Sequence, residues 1–421
     1  MRKSKRRFAG VVFFGLLTAG CGGQTRTGMP AIGAPPLPQS EQTIARSTSI
    51  APAAVDVGTA GNEPIVIGAA DGTLYISALA NVYRSTNAGA TWTQVPNPTL
   101  GTAVLASDSS IAVDPGGRLY YTFDYPYAGN TAVCTSDDRG TTWSCNPAVA
   151  PGGTDRMWIT APATTAAYET TNEGLYQTTF LTSSDRGQTW FAQQFANEVT
   201  QPLTGPLNAV NAGSYVLQPV NQNGYLYVYR FLPVQTINPL ADVQPTGTPA
   251  GVALPMASLG KDGSYWVVGE APNAAGGREL IVGRSRNQGG SFTQLPPIPQ
   301  TMKGTATFSA IAAGSAGHVG VLYYYTAIDG SDPTTMNATW NTVYAETYNA
   351  TSAAPTWKVT TVDTAIHNGP ICSTLGCSGD HRFSGDFISG YIDANDNSNL
   401  TWVKEAAGGA TRVRFIRIPH R

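Results

Sequence analysis

Two short phrases hold the side chains best suited to chemistry. One is Thr154-Asp155-Arg156-Met157-Trp158, the other Gly379-Asp380-His381-Arg382-Phe383-Ser384-Gly385-Asp386-Phe387. Each sets an Asp close to an Arg, ahead of an aromatic residue. A guanidinium binds a carboxylate bidentately, so such a pair can clamp a ligand. The same pair can equally serve as an internal ion pair that fixes a loop. Asp155, Arg156, Trp158, Asp380, Arg382 and Asp386 are therefore the candidate ligand-binding residues. Hydrolysis of a glycosidic bond asks for two carboxyls flanking it, and their separation sets the stereochemical outcome. Asp124, Asp155, Glu270, Asp380 and Asp386 are the carboxylates placed for that, but nothing assigns a catalytic role to any one of them. Tyr and Trp residues can stack on sugar faces or pack between layers. The chain has 4 His and shows no Ser-His-Asp order, phosphate loop or metal-ligand helix, so no cofactor and no metal are expected.

A repeated turn must position these phrases. Ser136-Asp137-Asp138-Arg139-Gly140-Thr141-Thr142-Trp143 and Ser183-Ser184-Asp185-Arg186-Gly187-Gln188-Thr189-Trp190 share one pattern. Worn copies run from Ser85 through Asn87 and Gly89 to Trp92, and from Ser285 through Asn287 and Gly289 to Phe292. Asp or Asn bonds its own backbone two residues on, and Gly supplies positive φ without steric cost. Thr and Trp then restart a strand, with the ring free to bury against the layer beneath. Four copies in register are a repeat, and a repeat of this length means a stacked or radial array.

A second signal recurs between the copies: an apolar strand, a turn at Gly or Asn, then an aromatic-rich strand. Its centres lie at Asp71-Gly72, Gly116-Gly117, Glu173-Gly174, Asn223-Gly224, Asp262-Gly263, Ala316-Gly317 and Asp396-Asn397. Seven such centres match units of about four strands around a central channel. Six is the alternative, with one centre an insertion. A remnant of the turn spans Ala350 to Trp357, and a strand around Ile50 to Val57 is expected to close the ring against the last unit.

The repeated phrase resembles the Asp-box, or bacterial neuraminidase repeat, of sialidase-like β-propellers. It covers four hairpins directly and most of the chain by extension. The resemblance implies an all-β propeller with the boxes on the outer rim, which makes Asn87, Trp92, Asp138, Trp143, Asp185, Trp190, Asn287 and Phe292 structural. It is poor evidence of activity, because boxes also occur in sortilin-type receptors and photosystem assembly factors. The two Asp-Arg phrases resemble those of uncharacterised sialidase-like exoproteins. A sialidase needs three arginines on the substrate carboxylate, a Tyr nucleophile with a Glu, and an Asp acid. Its Arg-Ile-Pro phrase precedes the first box, whereas here it stands at Arg417-Ile418-Pro419. Arg139, Arg186, Arg284 and Arg286 belong to boxes, which leaves Arg156, Arg382 and either Arg230 or Arg278 for a channel. The triad is not visible.

The ends and the composition complete the reading. A cationic start, an apolar stretch from Phe8 to Leu17 and Thr18-Ala19-Gly20-Cys21 describe a secretory signal over residues 1–20. Small residues before Cys21 resemble the bacterial lipobox, although Thr18 stands where Leu is usual. Residues 21–49 then read as a lipidated Cys and a disordered tether, and residues 50–421 as the propeller. Charged residues are 12%, and the net charge of −2 without a basic stripe argues against nucleic acid. Cys134 with Cys145 and Cys372 with Cys377 are expected as disulfides. The expected protein is a lipid-anchored monomer of a bacterial cell envelope, at the outer membrane or cell surface. It would bind a glycan or an envelope protein without turning it over; a divergent glycoside hydrolase acting on polysaccharide is the alternative.

Overall fold

The computed structural model of the chain describes residues 52–58, 61–99, 108–125, 130–150, 154–173, 177–196, 203–210, 215–222, 224–233, 240–250, 254–372 and 384–420. The chain divides into Met1–Ile44 and Ala45–Arg421, and every described residue belongs to the second unit. The leader, Cys21 and the tether fall outside the described residues.

The second unit is built from four-stranded antiparallel sheets, taken here as I to VII in chain order. A first strand, β1 (Val55–Gly58), precedes sheet I, which is β2 (Ile65–Gly68), β3 (Leu74–Ala78), β4 (Asn81–Ser85) and β5 (Thr93–Gln94). Sheet II is β6 (Ser109–Val113), β7 (Leu119–Tyr125), β8 (Asn130–Ser136) and β9 (Ser144–Ala150). Sheet III is β10 (Thr154–Ala163), β11 (Ala166–Glu173), β12 (Gln177–Ser183) and β13 (Phe191–Ala196). In sheet IV, β14 (Leu203–Thr204) and β15 (Asn208–Val210) both pair with β16 (Tyr215–Gln222), followed by β17 (Tyr225–Phe231) and β18 (Leu240–Pro249).

Sheet V is β19 (Met256–Leu259), β20 (Tyr265–Pro272), β21 (Arg278–Ser285) and β22 (Thr293–Gln294). Sheet VI is β23 (Thr305–Ala313), β24 (Val319–Thr326), β25 (Thr339–Thr347) and β26 (Lys358–Asn368), and one parallel pairing, Arg278 with Thr305, joins it to sheet V. Sheet VII holds β27 (Ser389–Ile392), β28 (Ser398–Glu405) and β29 (Thr411–Ile418), and its fourth strand is β1, paired antiparallel with β29.

The first strands touch in series. β2 contacts β6, β6 contacts β10, and the chain of contacts continues through β15, β19, β23 and β27 back to β2. They border one cavity of about 580 Å³, reached by Ile65, Ile111, Trp158, Leu207, Met256, Ile311 and Ser389. Second strands such as β20 and β24 are buried along nearly their whole length, because each has a neighbouring sheet on both faces. Trp266 on β20, Trp402 on β28 and Trp340 on the third strand β25 are fully buried.

Each box joins a third strand to a fourth and uses the same bonds. In the second, Ser136 Oγ donates to Asp138 Oδ1 (2.8 Å) and accepts from the Gly140 N–H (2.9 Å), while the Thr142 N–H donates to Asp138 Oδ1 (2.8 Å). Asp138 is thereby held at about 2, chiefly by the Thr142 hydroxyl and N–H. Asn87, Asp185 and Asn287 accept the equivalent N–H from Thr91, Thr189 and Ser291. The Gly has positive φ as expected, and so does the residue before it, at Ala88, Arg139, Arg186 and Gln288. Arg139 and Arg186, turned outward by that conformation, reach Asp71 (2.7 Å) and Asp137 (3.0 Å) of the preceding sheet.

The box rings pack as expected. Trp92 lies 4.9 Å from Phe415, Trp143 lies 6.0 Å from Tyr121, Phe292 lies 6.4 Å from Tyr265, and Trp190 packs against the core shared by sheets II and III. Cys134 and Cys145 face each other across β8 and β9 and form a disulfide. Cys372 is also disulfide-bonded, whereas Cys377 lies outside the described residues.

Three expectations need correction. Glu173-Gly174 and Asn223-Gly224 fall between second and third strands, not between first and second. The true first turn of sheet III is at residues 163–166, and sheet IV has a broken first strand. The worn turn of sheet VI begins at Thr347 rather than Ala350: Asn349 Oδ1 accepts from Thr347 Oγ1 (2.8 Å) and from the Thr356 N–H (2.8 Å), so a longer loop keeps the box bonds.

Gly89 has φ +85°, and a Cβ there would lie 1.9 Å from Phe415 Cε1. Gly89→Ala combines a strained backbone with an overpacked ring, so a loss of about 2–4 kcal/mol is expected from the urea midpoint. Gly72→Ala, at φ +85° with open space around it, should cost less.

Candidate functional site

Four acidic side chains and one arginine meet where the first strands of sheets VII, I, II and III begin. Glu63 precedes β2, Asp108 precedes β6, Asp155 and Arg156 open β10, and Asp386 precedes β27. These strands are neighbours in the contact series, so residues far apart in sequence share one end of the cavity walls.

The backbone is bent to achieve this. β10 loses register with β11 between Asp155 and Trp158, and Arg156 sits at φ +53°. This bulge turns the guanidinium inward, where it is 7% exposed and lies 2.5 Å from Asp155 Oδ2 and 3.4 Å from Asp386 Oδ2. Glu63 is also left-handed, at φ +53°, and its N–H donates to the Ser384 carbonyl (3.1 Å). The Asp386 N–H returns a bond to Glu63 Oε1 (2.9 Å), and the Arg156 N–H reaches Asp108 Oδ2 (3.4 Å). Gly385 permits the approach, because a Cβ there would lie 2.4 Å from Glu63 Cγ. Two non-glycine residues in this conformation at one place are a store of strain of the kind that gathers at working sites.

One cation cannot neutralise four clustered acids, of which Glu63 and Asp386 are buried. Burial pushes Glu63 well above the usual carboxylate range, and the charges of Asp108 and Asp386 add to it. Asp108 is pushed up to about 7, first by burial and then by the carboxylate of Asp155, with which it shares a hydrogen bond. Like-charged carboxyls in contact cannot both ionise, so the cluster holds protons at neutral pH. Asp155 is the outer member, with a side chain 46% exposed. Glu63 Oε2 and Arg156 Nε are buried without a hydrogen-bond partner. The set can therefore present a protonated carboxyl, Asp108, beside a solvent-facing acidic side chain, Asp155. That is acid–base equipment.

The residues singled out in sequence divide. Asp155, Arg156 and Asp386 come together. Arg156 does so as an internal ion pair, with its guanidinium committed to two carboxylates. Trp158 is 3% exposed; its ring lies 5.0 Å from Phe387 and its N–H donates to the Thr204 carbonyl (3.0 Å), so it fastens β10 to sheets IV and VII. Asp380 and Arg382 lie outside the described residues. Asp124 ends β7 beside this site, its N–H donating to the Asp108 carbonyl (3.3 Å). Glu270 is spent elsewhere: it accepts from Arg278 Nε (3.1 Å), Thr307 Oγ1 (3.2 Å) and the Phe308 N–H (3.0 Å). Arg230 pairs with Asp242 (3.2 Å) and caps the Tyr215 ring.

Glu63 and Asp108 were missed. Their signal was position: each is an acid just ahead of a first strand, as Asp155 and Asp386 are. Glu169, on β11, was missed as well. It is fully buried, accepts from Thr122 Oγ1 (2.5 Å), and burial raises it to about 8.

No family model matches the chain, and no curated protein matches it in sequence. Solved structures do resemble it. "YCF48 bound to D1 peptide" superposes with a TM-score of 0.51 at 12% identity, covering 87% of this chain and 94% of that one. A polysaccharide lyase, PL25 ulvan lyase, gives 0.49 at 10% identity over 86% and 94% of the two chains. The phage phi92 endosialidase gives 0.46 at 9% identity over 87% and 69%. At these identities the likeness is one of all-β fold, and the first comparison carries it.

Glu169 supplies a test of the buried-acid reading. The folded state keeps a proton that the unfolded chain releases above about 4.5, so this group's stabilisation is complete below that pH and declines up to about 8. Glu169→Gln cannot ionise. Its urea midpoint relative to the parent should therefore rise between about pH 5 and about pH 8; a pH-independent difference would show the carboxyl is not held protonated.

Proposed function

We propose that the chain is a carbohydrate-active β-propeller of seven four-stranded blades, acting on a polysaccharide by acid–base chemistry at the Glu63–Asp108–Asp155–Asp386 cluster. The returning series of first-strand contacts, the cavity that all seven sheets border and the closure of sheet VII by β1 support the architecture. The observation that carries the activity is Asp108, held near neutrality against the exposed carboxylate of Asp155. Perturbed acids concentrate at functional sites, and a paired acid and base are what cleavage of a glycosidic bond requires.

The roles follow from exposure and charge. Asp108 donates the proton to the leaving oxygen, and Asp155 acts from the solvent side as base. Arg156 touches no substrate; it holds Asp155 and Asp386 in place. Burial, the hydrogen bond and charge of Asp155 and the charge of Asp386 keep Asp108 protonated, while the hydrogen bond from Glu63 works the other way. The three-arginine grip of a sialidase is not reproduced by these residues, so the substrate is taken as a chain lacking the sialic acid carboxylate.

The test uses the mature chain with a panel of neutral and uronic-acid polysaccharides, reading new reducing ends for hydrolysis and ultraviolet absorbance for elimination. Product release should fall as pH rises through about 7, as Asp108 loses its proton. Asp108→Asn and Asp155→Asn should each lower release by about 100-fold or more while glycan retention persists. Retention without release from the parent chain at any pH would replace this reading with that of a non-catalytic binder. A peptide ligand is the second form of that outcome, since the YCF48 structure carries one.

We further propose that Cys21 carries a lipid and that residues 22–49 tether the propeller to a bacterial envelope membrane. Cys21→Ser should move the protein from the membrane fraction to the soluble fraction. Unchanged partitioning would remove the anchor from the account.

A further inference from the structure

At the opposite end of the strands, a second cluster is built from three different places in the chain. His318 follows the turn between β23 and β24, Asp396 lies in the turn between β27 and β28, and His420 lies just beyond β29. One ligand atom from each of the three lies within 4.8 Å of the others. His318 Nδ1 is 4.0 Å from Asp396 Oδ1, and the two imidazole rings are 5.8 Å apart.

His318 is the unusual member. It is 3% exposed, yet neither ring nitrogen has a hydrogen-bond partner. A buried imidazole normally fixes its ring through at least one bond, and leaving both nitrogens bare is costly. Tyr348 stacks on it at 4.4 Å, which sets the plane of the ring but satisfies no nitrogen.

The other two ligands are held ready. Asp396 has φ +61°, and its Oδ1 accepts from Lys261 Nζ (2.7 Å) and the Ser315 N–H (3.0 Å). Those bonds supply the outer contact that orients a ligating carboxylate. The His420 N–H donates to Asn397 Oδ1 (3.1 Å), which ties the C-terminal segment to the turn carrying Asp396. His420 is exposed, and its ring lies 5.1 Å from that of Tyr348.

We propose that His318, Asp396 and His420 bind a divalent transition-metal ion of the zinc class. Two imidazoles and one carboxylate suit zinc, copper or nickel rather than magnesium or calcium, which prefer all-oxygen shells. Metal–ligand bonds of about 2.0–2.2 Å place tetrahedral ligands about 3.4 Å apart. Rotation of His420 and a small shift of Asp396 toward His318 would close the remaining distances. Three protein ligands leave the fourth position to water or to a donor atom of another molecule. The ion would join sheets VI and VII and pin the C-terminus.

The test titrates Zn²⁺ into the full chain without an affinity tag, by calorimetry in a non-coordinating buffer, with Co²⁺ absorption reporting the ligand set. One Zn²⁺ per chain is expected, with a thermal midpoint that rises on binding. His420→Ala should weaken binding at least tenfold and abolish the thermal shift, and Asp396→Asn should weaken it similarly. His420 is exposed, so its replacement leaves the fold intact, as circular dichroism would verify. No saturable binding, or binding unchanged in His420→Ala, would overturn the proposal. Binding that survives His420→Ala but is lost in Asp108→Asn would overturn it too, by placing the ion in the acid cluster.

Discussion

The pairing of β1 with β29 is the constraint on which the rest of the structure depends. Val55 faces Phe415 and Asp56 faces Arg414 in register, so the first described strand completes the last sheet. Asp56 ties this seam with ion pairs to Arg412 (2.8 Å) and Arg414. The chain that leaves β1 must then cross from sheet VII to sheet I, and Glu63 lies on that crossing. Its bonds to Ser384 and Asp386 are bonds between the start of the folded unit and its last sheet. Without the seam, Glu63 has no fixed approach to Asp386, and Asp108 loses one of the acids that surround it.

A comparison within the molecule shows what is special about the cluster. β10 and β23 are both first strands with a bulge, and Arg156 and Phe308 occupy the same left-handed position in them. In both, the N–H at the bulge points at a carboxylate from the preceding sheet: Asp108 for Arg156, Glu270 for Phe308. Glu270 is fully matched by Arg278, Thr307 and that N–H, a balanced pair that only fixes the fold. The Arg156 site gathers more acids than its one guanidinium can balance and leaves buried polar atoms bare. The same backbone device thus serves as a fastening between sheets V and VI and, at sheet III, as the frame of the proposed acid–base site.

The sequence announced the fold wherever a turn demanded special residues. Ser, Asp or Asn, Gly and Thr are needed by the box bonds, so the four boxes could be placed from residue type alone. Sheet III was misread because its first turn, residues 163–166, is made of Ala and Thr and carries no Gly, Asn or Asp to mark it. Sheet IV was misread because Gly205 and Pro206 break its first strand; a Cβ at Gly205 would lie 1.7 Å from the Pro255 carbonyl oxygen, so the break is a packing requirement. The site was half legible. Asp155, Arg156 and Asp386 stood out by their company, whereas Glu63 and Asp108 sit in unremarkable phrases. Only the ordering of the sheets brings these acids together, and no local pattern encodes that.

The seam also sets an order of events during synthesis. Among the described strands β1 leaves the ribosome first and its partner β29 last, so Val55–Gly58 stays an unmated edge while six sheets take shape between them. Such an edge recruits stray strands. Its brevity, four residues with Asp56 near the middle, limits that hazard until β29 arrives.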